Sequence, residues 1–438
     1  MRKLLFIFVG ILLFICCEDA TKPDQIIIDD PDSTESFSGL KVHTVYDGYV
    51  ILHTIDGNDT LEVQSVNAGD TAIFYNIDTS HVTFSIIYKQ ESLPYINTYF
   101  EVPKGEYNFN RSINYENVNF DDGYAKFDFE FPDSIYNNPW INCPKSTKIL
   151  SENHNEIVSV NTITSENKFK ALCLAKDEEG YNVGFYQWID DDNFQPRDTN
   201  YYNTSIANSI QRKTITSNIP ITTYNVNTLC KNSGAIIYQH TNALIETSTE
   251  VSIPYAPNID ENDWYGLNIV AENERGNSQQ YFQKSNEIPD HVEILELSAI
   301  TNFDNETGVL SEVSINGDVD FIQVAWHSPR EVSRQLWISY YPNTKTILKR
   351  PVIPQNILDE YEISSVNPIW PLLILEDLDN VNGYDVEYIF SNKNAMFYCD
   401  SYYSRLFKPC FEIPDEKAFD GIKDKYELQT LYPYMKEK

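Results

Sequence analysis

Ala125-Lys126-Phe127-Asp128-Phe129-Glu130-Phe131 sets an alanine and three phenylalanines on alternate positions, with Lys126, Asp128 and Glu130 between them. A period of two sends successive side chains to opposite faces of an extended chain. The segment therefore reads as a half-buried strand with one apolar and one wet side. The same rhythm recurs in both directions along the chain. Val82, Phe84, Ile86 and Tyr88 form one stripe, and Ile322, Val324 and Trp326 form another. Asp56-Gly57-Asn58 and Asp122-Gly123 read as turns between strands. No long segment carries the 3.6-residue period of an amphipathic helix. The expected fold class is all-β, built from antiparallel sandwiches.

Composition narrows the function classes. The chain has 438 residues, and 65 Asp and Glu stand against 32 Lys and Arg, for a net charge of −33. Nucleic acid is disfavoured as a partner, because phosphate contact needs clusters of Lys and Arg. A hydrophobic content of 42% is too high for a disordered chain. The length is ample for several buried cores.

The amino end carries an address. Met1-Arg2-Lys3 is basic, and the apolar run from Leu4 to Cys17 is shorter than the roughly 20 residues a spanning helix needs. That pairing fits the n- and h-regions of a signal peptide. The run closes as Phe14-Ile15-Cys16-Cys17-Glu18-Asp19. This ending resembles a bacterial lipoprotein signal, in which a small residue precedes the lipidated Cys. Cys16 fills that place before Cys17, while Phe14 stands where the signal usually has Leu. Glu18-Asp19 is similar to the export signal of surface lipoproteins in the Bacteroidota. The resemblance implies a signal peptide over 1–16 and a lipid on Cys17 that makes the membrane a partner. It also implies an outer-membrane location facing the cell exterior. Residues 17–37, acidic and without helical period, read as a tether.

Three folded units are expected after the tether: 38–148, 149–289 and 290–438. In the first, Gly69-Asp70-Thr71-Ala72-Ile73-Phe74-Tyr75-Asn76-Ile77 and Val102-Pro103-Lys104-Gly105-Glu106-Tyr107 resemble two strands of transthyretin-like sandwiches. In the second, Tyr265, Leu267, Ile269 and Ala271 alternate before Asn273, Gly276 and Ser278. This pattern is similar to the F strand and FG turn of fibronectin type III domains, with Ile259 at the place of the tyrosine-corner Leu. Upstream, Ala175 to Trp188 resembles the B–C hairpin of Ig-like repeats, with Trp188 as the core Trp. A long insertion must separate Trp188 from the E-like strand Glu250-Val251-Ser252-Ile253. The third unit is expected to be β-rich.

Export makes disulfides available. Cys399 and Cys410 lie close in sequence and are the natural pair, leaving Cys143, Cys173 and Cys230. The absence of Cys-x-x-Cys removes zinc ribbons and thioredoxin-like chemistry. His-Glu-x-x-His, Gly-x-Ser-x-Gly and phosphate-cradling loops are also missing, so no enzyme activity and no catalytic residue is expected. No cofactor is expected either. Structural calcium at Asp377-Leu378-Asp379-Asn380-Val381-Asn382-Gly383 or at Asp190-Asp191-Asp192 is held against ordinary Asx turns. Trp264, Trp140, Tyr402 and Tyr403 are the ligand-platform candidates, against packing in a core or junction. The expected function is a surface lipoprotein that binds a glycan or a protein. An accessory subunit of an outer-membrane complex comes next, then a hydrolase with an unrecognised site.

Overall fold

The computed structural model describes residues 38–90, 93–109, 120–131, 135–144, 146–149, 157–163, 169–180, 182–195, 198–230, 235–258, 260, 263–272, 278–294, 296–327, 336–363, 370–385, 388–389 and 402–410. The protein is almost entirely β. From the amino side run β1 (Leu40–Thr44), β2 (Gly48–His53), β3 (Thr60–Val66), β4 (Thr71–Phe74), β5 (His81–Gln90), β6 (Leu93–Pro103) and β7 (Glu106–Phe109). Next come β8 (Phe120–Glu130), β9 (Asn138–Cys143), β10 (Ser146–Ile149), β11 (Ile157–Ile163), β12 (Phe169–Lys176), β13 (Val183–Asp191), β14 (Thr199–Ser205) and β15 (Asn208–Ser209). Then follow β16 (Gln211–Cys230), β17 (Ala235–Tyr255), β18 (Trp264–Glu272), β19 (Ser278–Ser285), β20 (His291–Val292), β21 (Ser298–Asp304) and β22 (Val309–Asn316). The last are β23 (Phe321–His327), β24 (Leu336–Pro342), a short helix α1 (Gln355–Glu360), β25 (Trp370–Leu378) and β26 (Tyr402–Pro409). Among the described residues no helix is long and apolar enough to cross a membrane.

One 13-stranded sheet organises the molecule, in the order β17-β16-β18-β19-β26-β25-β23-β24-β6-β5-β2-β3 with β20 beside β16. Its two faces bury different cores because neighbouring residues of one strand point opposite ways. Val50 and Leu52 join one core while Ile51 joins the other, and Phe321 and Ile322 divide in the same manner. The small sheet β4-β1-β7 supplies Leu40, Val42, Ala72, Phe74 and Phe109 to the first core. The hairpin β21–β22 and α1 supply Ala299, Leu310, Val313, Ile357 and Leu358 to the second. Each such apolar side chain, fully buried, contributes roughly 1.5–3 kcal/mol before chain entropy is charged against it.

Two further sheets, β10-β9-β12-β13-β15 and β11-β8-β14, enclose a separate core. Here Phe127 is wholly buried and Phe129 nearly so, while Asp128 and Glu130 are exposed, as the alternation requires.

Strand pairing crosses both expected unit boundaries. β9 pairs with β12, and β8 with β11 and β14, across the first. β6 pairs in parallel with β24, β19 with β26, and β16 with β20, across the second. Local sequence does not encode these partners, because any strand of matching face pattern satisfies the same backbone hydrogen bonds. The Tyr265 hydroxyl accepts the Asn258 backbone N–H at 3.0 Å, while Ile259 lies outside the described residues.

Candidate functional site

The one pocket described among these residues is a groove of about 360 Å³ lined by Gln187–Asp191 and Tyr202–Ser205. It runs between β13 and β14, which belong to different sheets of the 120–209 sandwich. β14 closes its sheet by pairing in parallel with β8 and has no strand on its other side among the described residues. β13 pairs with β12 along its length, but with β15 only at Phe185 and Tyr186. The groove therefore sits where two strand edges come together without a further strand between them.

Local sequence explains the shape. The Asp191 carboxylate accepts the Asn193 backbone N–H at 2.8 Å, an Asx turn that ends β13. Asn200 then fixes the return, accepting the Gln195 N–H at 3.0 Å and donating to the Tyr124 carbonyl at 3.2 Å. Across the groove the Tyr202 hydroxyl donates to Asp191 Oδ2 at 2.9 Å. Burial first, then this bond and the Asp191 charge, push the phenol's pKa up. Asn203 and Ser205 are exposed on the rim. The lining sets carboxylate, amide and hydroxyl groups beside the apolar surface of Ile189, and the polar groups can hydrogen-bond a ligand. Trp188 is turned away from that task. It is only 8% exposed, and its Nε1 donates to the Pro257 carbonyl at 2.7 Å.

Trp264 and Tyr402 lie two strands apart in the large sheet, Trp140 belongs to another sheet, and these three rings are each engaged. Trp140 packs beside Leu172, Leu174 and Ile237, with the Lys176 ammonium 3.5 Å from its ring centroid. Burial lowers the Lys176 pKa to about 8. Trp264 packs against Leu229 and Phe282 under the Lys284 ammonium, 4.8 Å from the centroid. Tyr402 stacks on Tyr281 with centroids 6.0 Å apart. The side chain of Tyr403, and Cys17 and Cys399 entirely, lie outside the described residues. Cys410 and Cys173 are buried as free thiols, and Cys143 and Cys230 are buried as well.

Two arrangements escaped sequence reasoning. On the small sheet, Thr71 Oγ1 lies 2.5 Å from His43 Nδ1, and His43 Nε2 lies 2.8 Å from Glu106 Oε1. Register placed them: His43 is opposite Thr71 on β4, and β7 brings Glu106 beside Lys41. The hydrogen bond from His43, ahead of the nearby charges, lowers the Glu106 pKa. The second is acidic. The Asp320 carboxylate accepts the N–H of Leu378 at 2.8 Å and of Gly383 at 2.9 Å, so it fastens the stretch suspected of calcium binding. An Asp-x-Asp at 318–320 was the available signal.

No family model matches the chain, and no curated protein matches it. Among solved structures it aligns with the Bacillus anthracis TIE protein, at 9% identity over 73% of this chain and 68% of that one, with a TM-score of 0.13. A superposition that loose carries no inference about fold or role.

Proposed function

We propose that this protein is an exported, lipid-anchored lipoprotein of the bacterial outer membrane, facing the exterior, that works as a non-enzymatic binding or adhesion module for a glycan or protein. The reading takes its location from the basic start, the apolar run and Cys17. It takes its role from the groove between β13 and β14, whose polar lining is open to solvent. An Ig-like and transthyretin-like ancestry for the sandwiches accords with the bond from the Asn258 N–H to the Tyr265 hydroxyl.

Protease shaving of intact cells tests the location. Loss of the protein before lysis is the expected result, and protection until lysis removes the adhesin reading in favour of an envelope accessory subunit. Glycan and host-protein arrays then test the role, with Asn203→Ala and Asp190→Ala expected to lose the captured ligand.

A hydrolase is the second reading, because Thr71, His43 and Glu106 form a hydroxyl–imidazole–carboxylate relay. The relay lies on a sheet surface with Glu106 54% exposed. A nucleophile-directed covalent probe that labels the native chain but not Thr71→Val would favour it.

A further inference from the structure

The carboxyl-side end of β25 carries a charge problem that the described residues do not solve. Asp377 is 5% exposed, and its Oδ2 meets no hydrogen-bond partner among the described residues. Asp320 is equally buried and is brought beside it by the bond from its own N–H to the Glu376 carbonyl at 2.8 Å. Asp379 follows on the turn, where its Oδ2 accepts the Tyr402 N–H at 3.1 Å. Asp318 stands at the exposed mouth. The charges acting on Asp377 are those of Asp320, Asp318 and Asp379, and no basic group is among them. Arg405, on the neighbouring strand, is bonded to Glu376 at 2.9 Å. Burial first, and then these like charges, raise the Asp377 pKa to about 7, while Asp320 rises to about 6.

We propose that the two Asp-x-Asp pairs, Asp318 with Asp320 and Asp377 with Asp379, bind a calcium ion. The proposal is independent of the groove and of the cellular location. Four hard carboxylate groups with no His or Cys among them select a hard cation over zinc. Backbone carbonyls of a turn and water complete six to eight ligands at about 2.3–2.6 Å, a number and flexibility that suit calcium better than magnesium. Among the described residues no three such side chains are already gathered around one point. Rotation of the outer pair, Asp318 and Asp379, onto the buried pair would close it. The turn is already pinned for this by Asp320, which holds the N–H groups of Leu378 and Gly383. Gly383 takes φ +77°, a conformation glycine adopts without a Cβ penalty. The ion would join β23, β25 and the start of β26, strands adjacent in the large sheet.

The test uses the full chain in mild detergent, stripped with chelator and titrated with CaCl2 and separately with MgCl2. Thermal unfolding and terbium luminescence are read, with Tyr402 as the nearby sensitiser. A rise in Tm with calcium at millimolar concentration or below, larger than with magnesium, is expected. Asp318→Asn, on the exposed side, should weaken calcium binding by about tenfold or more without changing the metal-free Tm. Asp377→Asn should abolish the calcium response while leaving the metal-free protein at least as stable, since a buried charge is removed. No Tm or luminescence response up to about 10 mM calcium overturns the proposal, and protons then satisfy the cluster. A response that survives both substitutions overturns it as well, placing the ion elsewhere.

Discussion

Two sets of buried polar side chains in the large sheet are met differently. At the β2–β5–β6–β24 end one run is linked: His53 Nε2 lies 2.9 Å from Ser85 Oγ, and Ser85 Oγ lies 2.9 Å from Thr98 Oγ1, although His53 Nδ1 meets no partner among the described residues. Trp337 Nε1 then donates to Thr98 Oγ1 at 3.3 Å. This chain crosses four neighbouring strands and ties the amino-side part of the protein to β24. Near the opposite edge, on β16, Asn227 is fully buried and neither of its amide atoms meets a partner among the described residues. Thr223 Oγ1 and Asn225 Oδ1 are in the same condition. Polarity on a buried face fixes strand register only where the groups reach each other. Otherwise each unmet group costs about 1–3 kcal/mol.

The strongest way to probe the β16 side is a buried ion pair close to it. Lys170 of β12 bonds Asp263, which precedes β18, and their side chains are 9% and 4% exposed. The pair joins the 120–209 sandwich to the large sheet. Asp263→Ala leaves an ammonium buried without its carboxylate and should cost about 3–5 kcal/mol in urea unfolding. The double variant Asp263→Leu with Lys170→Met should recover much of that. A single variant as stable as the native chain would mean that the junction does not hold the two parts together.

Acid comes next in size. Burial lowers the His53 pKa to about 4 and the His240 pKa to about 3, with Lys176 and Arg212 adding to the latter. Both groups bind a proton more readily in the unfolded chain. Their contribution is therefore complete above about pH 6.5 and is lost as pH falls towards the folded values, up to about 3 kcal/mol for His53. His53→Gln should flatten the stability curve between about pH 6.5 and 4, and His240→Gln over a window reaching further into acid. An unchanged slope in either variant would show that its imidazole is not neutral in the fold.

Ser85→Ala should follow, at about 1–3 kcal/mol, because it cuts the linked chain and strands both His53 and Thr98. A loss below about 0.5 kcal/mol would erase the contrast between the two regions.

What could be read from sequence divides along the same physical line. Alternation is local, so the stripe through Phe127 and Phe129 and the stripe through Val82, Phe84, Ile86 and Tyr88 were legible, and all six residues are buried. The stripe Tyr265, Leu267, Ile269 and Ala271 was legible in the same way, and all four residues are buried. The groove was not, since Gln187, Asn203 and Ser205 are ordinary strand residues until two sheets set their edges together. Nor was the Thr71–His43–Glu106 relay, which exists only through the register of three strands. For Asp377 to Gly383 the turn was visible, but Asp320, the residue that holds it, comes from another strand's approach. Within β23, alternation understated burial. Gln323 and Ala325 are buried as well as Ile322, Val324 and Trp326, because both faces of the central sheet are covered.

The smallest effect is the most direct measure of the contrast. Asn227→Leu replaces an amide with an apolar group of nearly the same shape, at a position that is 0% exposed. Removing two unmet polar atoms while keeping the volume should raise stability by about 1 kcal/mol, where the same kind of change at Ser85 lowers it. Opposite signs for two polar-to-apolar substitutions in one sheet would show that the partners of a buried group, and not its polarity, set its contribution. If Asn227→Leu destabilises instead, Asn227 is bonded in the folded protein, and β16 is as well linked as the β2–β5–β6–β24 end.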